Sequence, residues 1–275
     1  MVKQRVELVR DMDRKNSYLL SVEGVAQSYV DLDDPTNLEL EYIALFAELI
    51  DAYFEEGRRL DVVHLGAGAC TLARYIAATR PGSKQKAYDA DLDVVSLVRD
   101  QLGVGDVKGL TLIVGEAREA ARQTKDASAH CLVTDVYVGP RAAVDVLSLE
   151  AMTDVRRVLR PRGLYLINVA DRAPFAFAKP VLATVRAVFE HVALLADPGA
   201  LRGRRFGNLV VAASRKALPI EELTRRTARA VPPARLVADE RLEELVGDAK
   251  PVTDAAPVQS PVLRSWIYNR TNEET

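Results

Sequence analysis

The chain has 275 residues, of which 48% are hydrophobic and 28% are charged, so it can bury one large core. Its 37 basic and 39 acidic residues give a formal net charge of -2, which does not favour nucleic acid or an anionic membrane as a partner. Charged residues interrupt the first apolar residues, unlike a signal peptide, and no apolar run has the length of a membrane helix. Cys70 and Cys131 lack the spacing of a metal or redox site. We therefore expect a cytoplasmic protein without a metal.

The N-terminal part of the chain has the pattern of a small β unit followed by a helix. Short β-rich runs within residues 5–32 are separated by turn-prone residues, which predicts an antiparallel hairpin unit over residues 1–36. From Leu38 to Tyr53 the apolar residues recur at helical spacing. This spacing predicts a connecting helix within residues 37–57.

From Leu60 onward, short apolar runs alternate with helical stretches, which is typical of βαβ units and a parallel sheet. The predicted strands cover residues 61–65, 84–89, 110–114, 130–136, 163–169, 191–196 and 208–214. The predicted helices cover residues 69–80, 92–101, 142–159 and 178–189. Seven strands with a terminal antiparallel pair predict an α/β fold, with a Rossmann-like sheet of the class I methyltransferase type over residues 58–215. Residues 216–275 are predicted to form a C-terminal helical segment and tail.

A glycine-containing turn joins the first predicted strand of this sheet to its helix. The segment DVVHLGAGACTLARYIA places Gly66 and Gly68 in that turn, where the backbone can approach a ligand closely. Asp89 ends the next predicted strand, and a carboxylate there can accept hydrogen bonds from both hydroxyls of a ribose. These three residues predict a nucleoside site.

The next two strand ends also have acidic side chains. Glu116 and Ala117 follow the third strand, and Asp135 follows the fourth. The carboxyl ends of parallel strands form the ligand-binding edge of an open α/β sheet. These residues also have structural interpretations: a tight turn for the glycines, a helix N-cap for Asp89, a solvated surface position for Glu116 and a loop cap for Asp135. Their occurrence at successive strand ends favours the nucleoside site.

Several segments together resemble the spermidine synthase family, the polyamine aminopropyltransferases. SVEGVAQSYVD is similar to the family's DGxxQ run, with Gln27 as the matching glutamine, and HLGAGAC stands in place of its GGGDG loop. YDADLDVV resembles EIDxxVV and aligns Asp89 with the nucleoside-binding glutamate, while GEA resembles the GDA that contacts adenine. TDVYVGPRA resembles the DSSDPxGPA catalytic loop, and LRPRGLYLIN resembles the turn into the fifth strand. The resemblance covers about residues 5–215.

Two departures from the family pattern bear on its chemistry. The second aspartate of the catalytic loop is replaced by Val138, and the glycine-rich loop lacks its aspartate. The resemblance implies an aminopropyltransferase that uses decarboxylated S-adenosylmethionine and a polyamine such as putrescine. Two alternatives remain: a methyltransferase that uses S-adenosylmethionine itself, and an inactive homologue that binds a nucleoside.

The resemblance also implies roles for particular side chains. Asp135 is the expected base or amine-orienting group, with Tyr137 as its hydrogen-bond partner. Gln27, Glu39 or Glu41 are expected to hold the far end of the amine. We also expect a homodimer, with the N-terminal hairpins and the C-terminal tail as contact surfaces.

Overall fold

The computed structural model describes residues 5–230 and 232–262. The other residues, which belong to the predicted hairpin unit and C-terminal segment, lie outside the described ranges. The described chain begins with a three-stranded antiparallel sheet formed by β1 (Val6–Arg10), β2 (Ser17–Val22) and β3 (Val25–Asp31). The predicted connecting helix is α1 (Glu41–Tyr53).

The first half of the larger sheet follows the predicted alternation of strands and helices. Its elements are β4 (Asp61–Leu65), α2 (Thr71–Thr79), β5 (Lys84–Asp89), α3 (Leu92–Gln101), β6 (Leu110–Val114), α4 (Ala117–Gln123) and β7 (Ala129–Thr134). The strands β4, β5, β6 and β7 pair in parallel. Their carboxyl ends therefore lie at one edge of the sheet.

The second half completes the sheet with one strand that pairs with β7 in parallel and three further strands in antiparallel pairings. Its elements are β8 (Tyr137–Val138), β9 (Arg141–Ala142), α5 (Leu149–Val158), β10 (Leu159–Asp171), α6 (Ala178–Val188), β11 (His191–Ala196), α7 (Pro198–Leu201), β12 (Gly207–Ser214), α8 (Ile220–Arg229), β13 (Arg235–Ala238) and α9 (Asp239–Val246). Among the described residues the strand order is β13-β11-β12-β10-β7-β4-β5-β6. The predicted α/β fold of the class I methyltransferase type is confirmed.

Three details differ from the sequence prediction. The helix α4 stands where no helix was predicted, and the predicted helix over residues 142–159 is shorter, beginning at Leu149. The sheet has an eighth strand, β13, which pairs with β11. The sheet therefore extends beyond residue 215, where we predicted a domain boundary, and the proposed division of the chain stays a prediction.

Helices cover both faces of the sheet because alternate residues of each strand point to opposite faces. Val62 and Val133 pack with α1, α2 and α8, whereas Val63 and Leu65 pack with α4, α5, α6 and α9. Phe46 on α1 is fully buried, and a buried side chain of this size contributes roughly 1.5 to 3 kcal/mol. These contacts hold α1 against the sheet.

The N-terminal unit packs on the same domain. Its apolar residues Leu20, Val22 and Val30 share a core with residues of α2 and α3. The hydroxyl of Thr71 at the start of α2 donates a hydrogen bond to the carbonyl oxygen of Tyr29 at 2.5 Å. The β2–β3 hairpin is thereby fixed above the carboxyl edge of the large sheet.

Candidate active site

A cavity of about 420 Å³ lies at the carboxyl ends of the parallel strands. This volume is within the range of about 300 to 1,000 Å³ that is usual for small-molecule sites. Its walls come from the β2–β3 hairpin, α1 and the loops after β4, β5, β6 and β7. The predicted site residues that line it are Gln27, Gly66, Gly68, Asp89, Glu116, Ala117, Asp135 and Tyr137.

The glycine turn after β4 allows β4 and β7 to lie close together at the cavity. Gly66 has a φ of 90°, and a Cβ there would lie 2.0 Å from the carbonyl oxygen of Asp135. A Cβ at Gly68 would lie 3.1 Å from the Cβ of Ser28 on the hairpin. A side chain at Gly66 is therefore excluded by backbone, and Gly68 permits the close approach of the N-terminal unit.

The Asp89 carboxylate lies against the glycine turn. Its Oδ2 accepts hydrogen bonds from the backbone N–H groups of Ala67 at 3.2 Å and Gly68 at 3.3 Å. Burial raises its pKa, and the backbone hydrogen bonds partly offset that effect. The N-cap of α3 is Asp91, whose side chain accepts hydrogen bonds from the first turn of the helix. The alternative interpretation of Asp89 as a helix N-cap is therefore wrong.

The loop after β6 contributes the adjacent part of the wall. Glu116 is exposed at the cavity and precedes α4 without a side-chain hydrogen bond to the helix end. Ala117 is buried beside it. Glu116 and Ala117 thus line the cavity after β6, the strand that pairs with β5, and their contact with adenine stays a prediction.

Asp135 lies at the end of β7 within a group of polar side chains. The Nδ2 of Asn168 donates a hydrogen bond to its Oδ1 at 3.1 Å, and the side chain of Tyr42 also hydrogen-bonds to it. Burial raises the pKa of Asp135 from 3.8 to about 6, an effect that both hydrogen bonds partly offset. Burial and the nearby Asp135 raise the pKa of Tyr137, so its phenol is neutral. The predicted hydrogen bond between Tyr137 and Asp135 is wrong, because Asp135 is hydrogen-bonded to Tyr42 and Asn168 instead. The Asp135 carboxylate, with its pKa of about 6, is suited to accept a proton near neutral pH.

Sequence reasoning missed two residues of this group. Tyr42 was assigned only to the apolar pattern of α1, and its contact with Asp135 joins distant parts of the chain. Asn168 is a buried polar residue within the run LYLINVA of β10. A buried polar side chain at a strand end usually has a specific partner, and this was the available signal for Asn168.

Two predicted site residues lie elsewhere. Glu39 and Glu41 are not among the described residues that line the cavity. Glu39 is exposed, and the carboxylate of Glu41 lies 3.6 Å from the guanidinium of Arg205. The prediction that these glutamates hold the amine is therefore not supported by their positions.

The loop after β7, residues 135–146, contacts the end of the described chain. The short strands β8 and β9 pair within it. The Oγ of Ser260 accepts a hydrogen bond from the backbone N–H of Ala142 at 2.9 Å. Arg118 on α4 donates to the carbonyl oxygen of Asp145 at 3.1 Å and also forms an ion pair with Asp254. The C-terminal segment, residues 249–262, therefore holds this loop against α4.

Within residues 5–230 and 232–262, none of the helices combines the length and apolarity needed to cross a membrane. Over the same ranges, no group of three or more histidines, cysteines, aspartates or glutamates is placed to hold a metal.

Solved structures of other proteins have a fold similar to that of this chain. A probable spermidine synthase from Corynebacterium glutamicum is 30% identical, with a TM-score of 0.84 over 92% of this chain and 94% of that chain. A spermidine synthase from Thermotoga maritima is 14% identical, with a TM-score of 0.61 over 83% of this chain and 76% of that chain. Human methyltransferase-like protein 13, in complex with SAH, is 15% identical, with a TM-score of 0.53 over 78% of this chain and 93% of that chain. No protein-family model and no curated protein matches the chain.

The fold and the cavity define a transferase with a Rossmann-like sheet of the class I methyltransferase type. The match to the Corynebacterium glutamicum protein covers nearly the whole of both chains at 30% identity. The chain belongs to the spermidine synthase family.

Proposed function

We propose that this protein transfers the aminopropyl group of decarboxylated S-adenosylmethionine to the nitrogen of an amine. Support comes from the family, and from a solved spermidine synthase in complex with the transition-state analogue AdoDATO, which has the same fold at 14% identity. The positions of residues in this chain also support the proposal. The nucleoside would lie against Asp89 and Glu116, and the reacting carbon would lie near Asp135.

The charge of the cavity is the observation that favours this cofactor. Of the described residues that line it, five are acidic, namely Asp89, Asp91, Glu116, Asp135 and Asp145, and none is a lysine or an arginine. The lining histidine, His64, is neutral because burial lowers its pKa to about 4. Decarboxylated S-adenosylmethionine has a sulfonium and an ammonium group, and it lacks the carboxylate of the parent compound. An acidic cavity without a basic side chain matches that dication better than a ligand with a carboxylate.

The backbone donors at the glycine turn favour the same cofactor. In many nucleotide sites such N–H groups bind a substrate anion. Here the N–H groups of Ala67 and Gly68 are hydrogen-bonded to the carboxylate of Asp89. The methionine carboxylate of S-adenosylmethionine would therefore compete with Asp89 at this turn, which disfavours methyl transfer.

The side chains near Asp135 suit the chemical step. The lone pair of a neutral amine attacks the aminopropyl carbon bonded to sulfur, and the carbon–sulfur bond breaks with its electron pair going to sulfur. The sulfonium becomes the neutral thioether of methylthioadenosine, and the new ammonium loses a proton to Asp135. Tyr42 and Asn168 hydrogen-bond to the Asp135 carboxylate and fix its orientation.

Isothermal calorimetry tests the choice of cofactor directly. The purified protein is titrated with decarboxylated S-adenosylmethionine, S-adenosylmethionine and methylthioadenosine, with and without an amine. We expect the decarboxylated form to bind at least about tenfold more tightly than the carboxylated form, a difference of about 1.4 kcal/mol. A preference for S-adenosylmethionine would instead indicate methyl transfer. Binding of methylthioadenosine without turnover of any amine would indicate an inactive homologue.

A further inference from the structure

The cavity has a part on the far side of Asp135 from the nucleoside turn. It lies between the β2–β3 hairpin, α1 and the end of β10, and we call it the acceptor half. The apolar side chains of Leu40, Ile43 and Phe46, at the start of α1 and along it, line this half. Its wall on the α1 side is therefore hydrocarbon.

Asp135 is the one carboxylate that the described residues place in the acceptor half. Asp89 and Asp91 lie at β5 and α3, and Glu116 precedes α4, all on the nucleoside side. Asp145 belongs to the part of the loop held by Arg118 of α4. A ligand in the acceptor half therefore meets a single negative charge.

The remaining polar groups of the acceptor half are uncharged. Gln27, Asn168 and Asn208 line the cavity with neutral amide groups. Val138, on the loop after β7, also lines the cavity, and 66% of its surface is exposed. Neutral amides can hydrogen-bond to an ammonium group, but they do not neutralise its charge.

From this distribution of charge we infer that the acceptor is a primary monoamine with an apolar tail, rather than a diamine. The inference rests on the proposed aminopropyl transfer and concerns only its second substrate. The reacting amine would lie at Asp135, and its hydrocarbon tail would contact the apolar residues of α1. In a diamine the second ammonium group would be desolvated without a carboxylate partner, which is costly.

Butylamine and putrescine provide a matched pair of acceptors, because they have the same four-carbon chain and differ in the second amine. Initial rates of methylthioadenosine release are measured with each amine and saturating decarboxylated S-adenosylmethionine. We expect kcat/KM for butylamine to exceed that for putrescine by at least about tenfold, since burying an ammonium group without a partner is unfavourable. Equal or higher kcat/KM for putrescine would overturn the inference and leave aminopropyl transfer intact.

Val138→Asp and Val138→Asn separate the effect of charge from that of shape. The two side chains have similar size, and position 138 is exposed enough to accept either. Val138→Asp is expected to raise kcat/KM for putrescine at least about tenfold relative to Val138→Asn, with a smaller change for butylamine. If the two variants treated putrescine alike, a missing charge at this loop would not explain the preference, and the inference would be wrong.

A binding measurement distinguishes failure of this inference from failure of the proposed function. Affinities for butylamine and putrescine are measured by calorimetry in the presence of saturating methylthioadenosine. Tighter binding of butylamine supports the inference without depending on turnover. If neither amine yields methylthioadenosine and neither binds, the proposed function is wrong, and the acceptor assignment is overturned with it.

Discussion

Asp135 lies where its charged form is disfavoured, yet the proposed reaction needs that form as a base. Burial raises its pKa to about 6, so the carboxylate is ionised at neutral pH and can accept the proton of the attacking amine. Asp135→Asn removes the base and keeps the shape. We expect kcat to fall at least about 100-fold, with the affinity for methylthioadenosine unchanged. In the unmodified protein kcat/KM should fall with pH below about 6, and unaltered turnover of Asp135→Asn would exclude the role of base.

The same residue predicts a pH dependence of stability. The pKa of Asp135 is higher in the folded protein, at about 6, than the ordinary value of 3.8. Its contribution to the free energy of unfolding is therefore fully present below about pH 4 and is lost as the pH rises through 6. Asp135→Asn should change the free energy of unfolding more favourably at pH 8 than at pH 3.5. The difference between the two effects should be up to roughly 3 kcal/mol. Urea unfolding of both proteins at the two pH values measures this difference, and an equal effect at both would contradict it.

Asp89 is predicted to bind the ribose. Because it also accepts hydrogen bonds from the glycine turn, a variant that tests this role should keep the shape of the side chain. Asp89→Asn keeps an oxygen that can accept from Ala67 and Gly68 but removes the charge. Hydrogen bonds to a charged group are worth about 1.5 to 3 kcal/mol, so we expect methylthioadenosine affinity to fall at least about tenfold. Asp93→Asn, on the first turn of α3 and outside the cavity wall, is the control. Equal calorimetric affinities of the two variants would reject the ribose assignment.

The strand ends explain which site residues the sequence could predict. Gly66, Asp89 and Asp135 each lie at or just after the end of a strand that the sequence predicts, and parallel pairing brings these ends together. Tyr42 lies on α1, whose position over the sheet depends on packing between distant segments. Its hydrogen bond to Asp135 therefore had no local signal.

At the scale of elements, apolar runs with strand length were predicted well. The bounds of β4, β5 and β6 agree with the structure. The strand β13 is only four residues long and α4 has three buried alanines, so neither has a distinct periodic pattern. Their placement depends on pairing with β11 and on packing under the loop after β7.

The C-terminal segment is an element whose contacts predict an effect on the loop after β7. Asp254 forms an ion pair with Arg118, which also hydrogen-bonds to the Asp145 carbonyl. Asp254→Asn should weaken this connection and speed hydrogen exchange at residues 136–146, including the N–H of Ala142. KM for the cofactor should rise. The free energy of unfolding should change by less than about 1 kcal/mol, because exposed ion pairs contribute little.

A matched control separates this local effect from the loss of any surface ion pair. The Glu7 side chain, paired with Arg5, has an exposed fraction of 42%, equal to that of Asp254. Glu7→Gln should leave hydrogen exchange of the loop after β7 and KM unchanged. If Asp254→Asn behaved like Glu7→Gln, the C-terminal segment would have no part in ordering the loop.

At the scale of the whole molecule, the expected homodimer concerns the open edge of the N-terminal sheet. The strand β1 pairs only with β2 among the described strands, so its other edge is open. Val9 on this strand is 50% exposed, and Met12 just after it is 96% exposed. Open edges with apolar side chains tend to pair with another strand, and we expect a second copy of the chain to contact this edge.

Light scattering after size exclusion tests this expectation. The chain has a mass of 30.2 kDa, and the dimer should have twice that mass. Val9→Lys places a charge on the open edge and should return the mass to that of one chain. None of the described residues that line the cavity lies on β1, so kcat of Val9→Lys should match that of the unmodified protein. A monomeric mass for the unmodified protein would rule out the dimer. A monomeric Val9→Lys variant without activity would mean that the second copy helps to order the site.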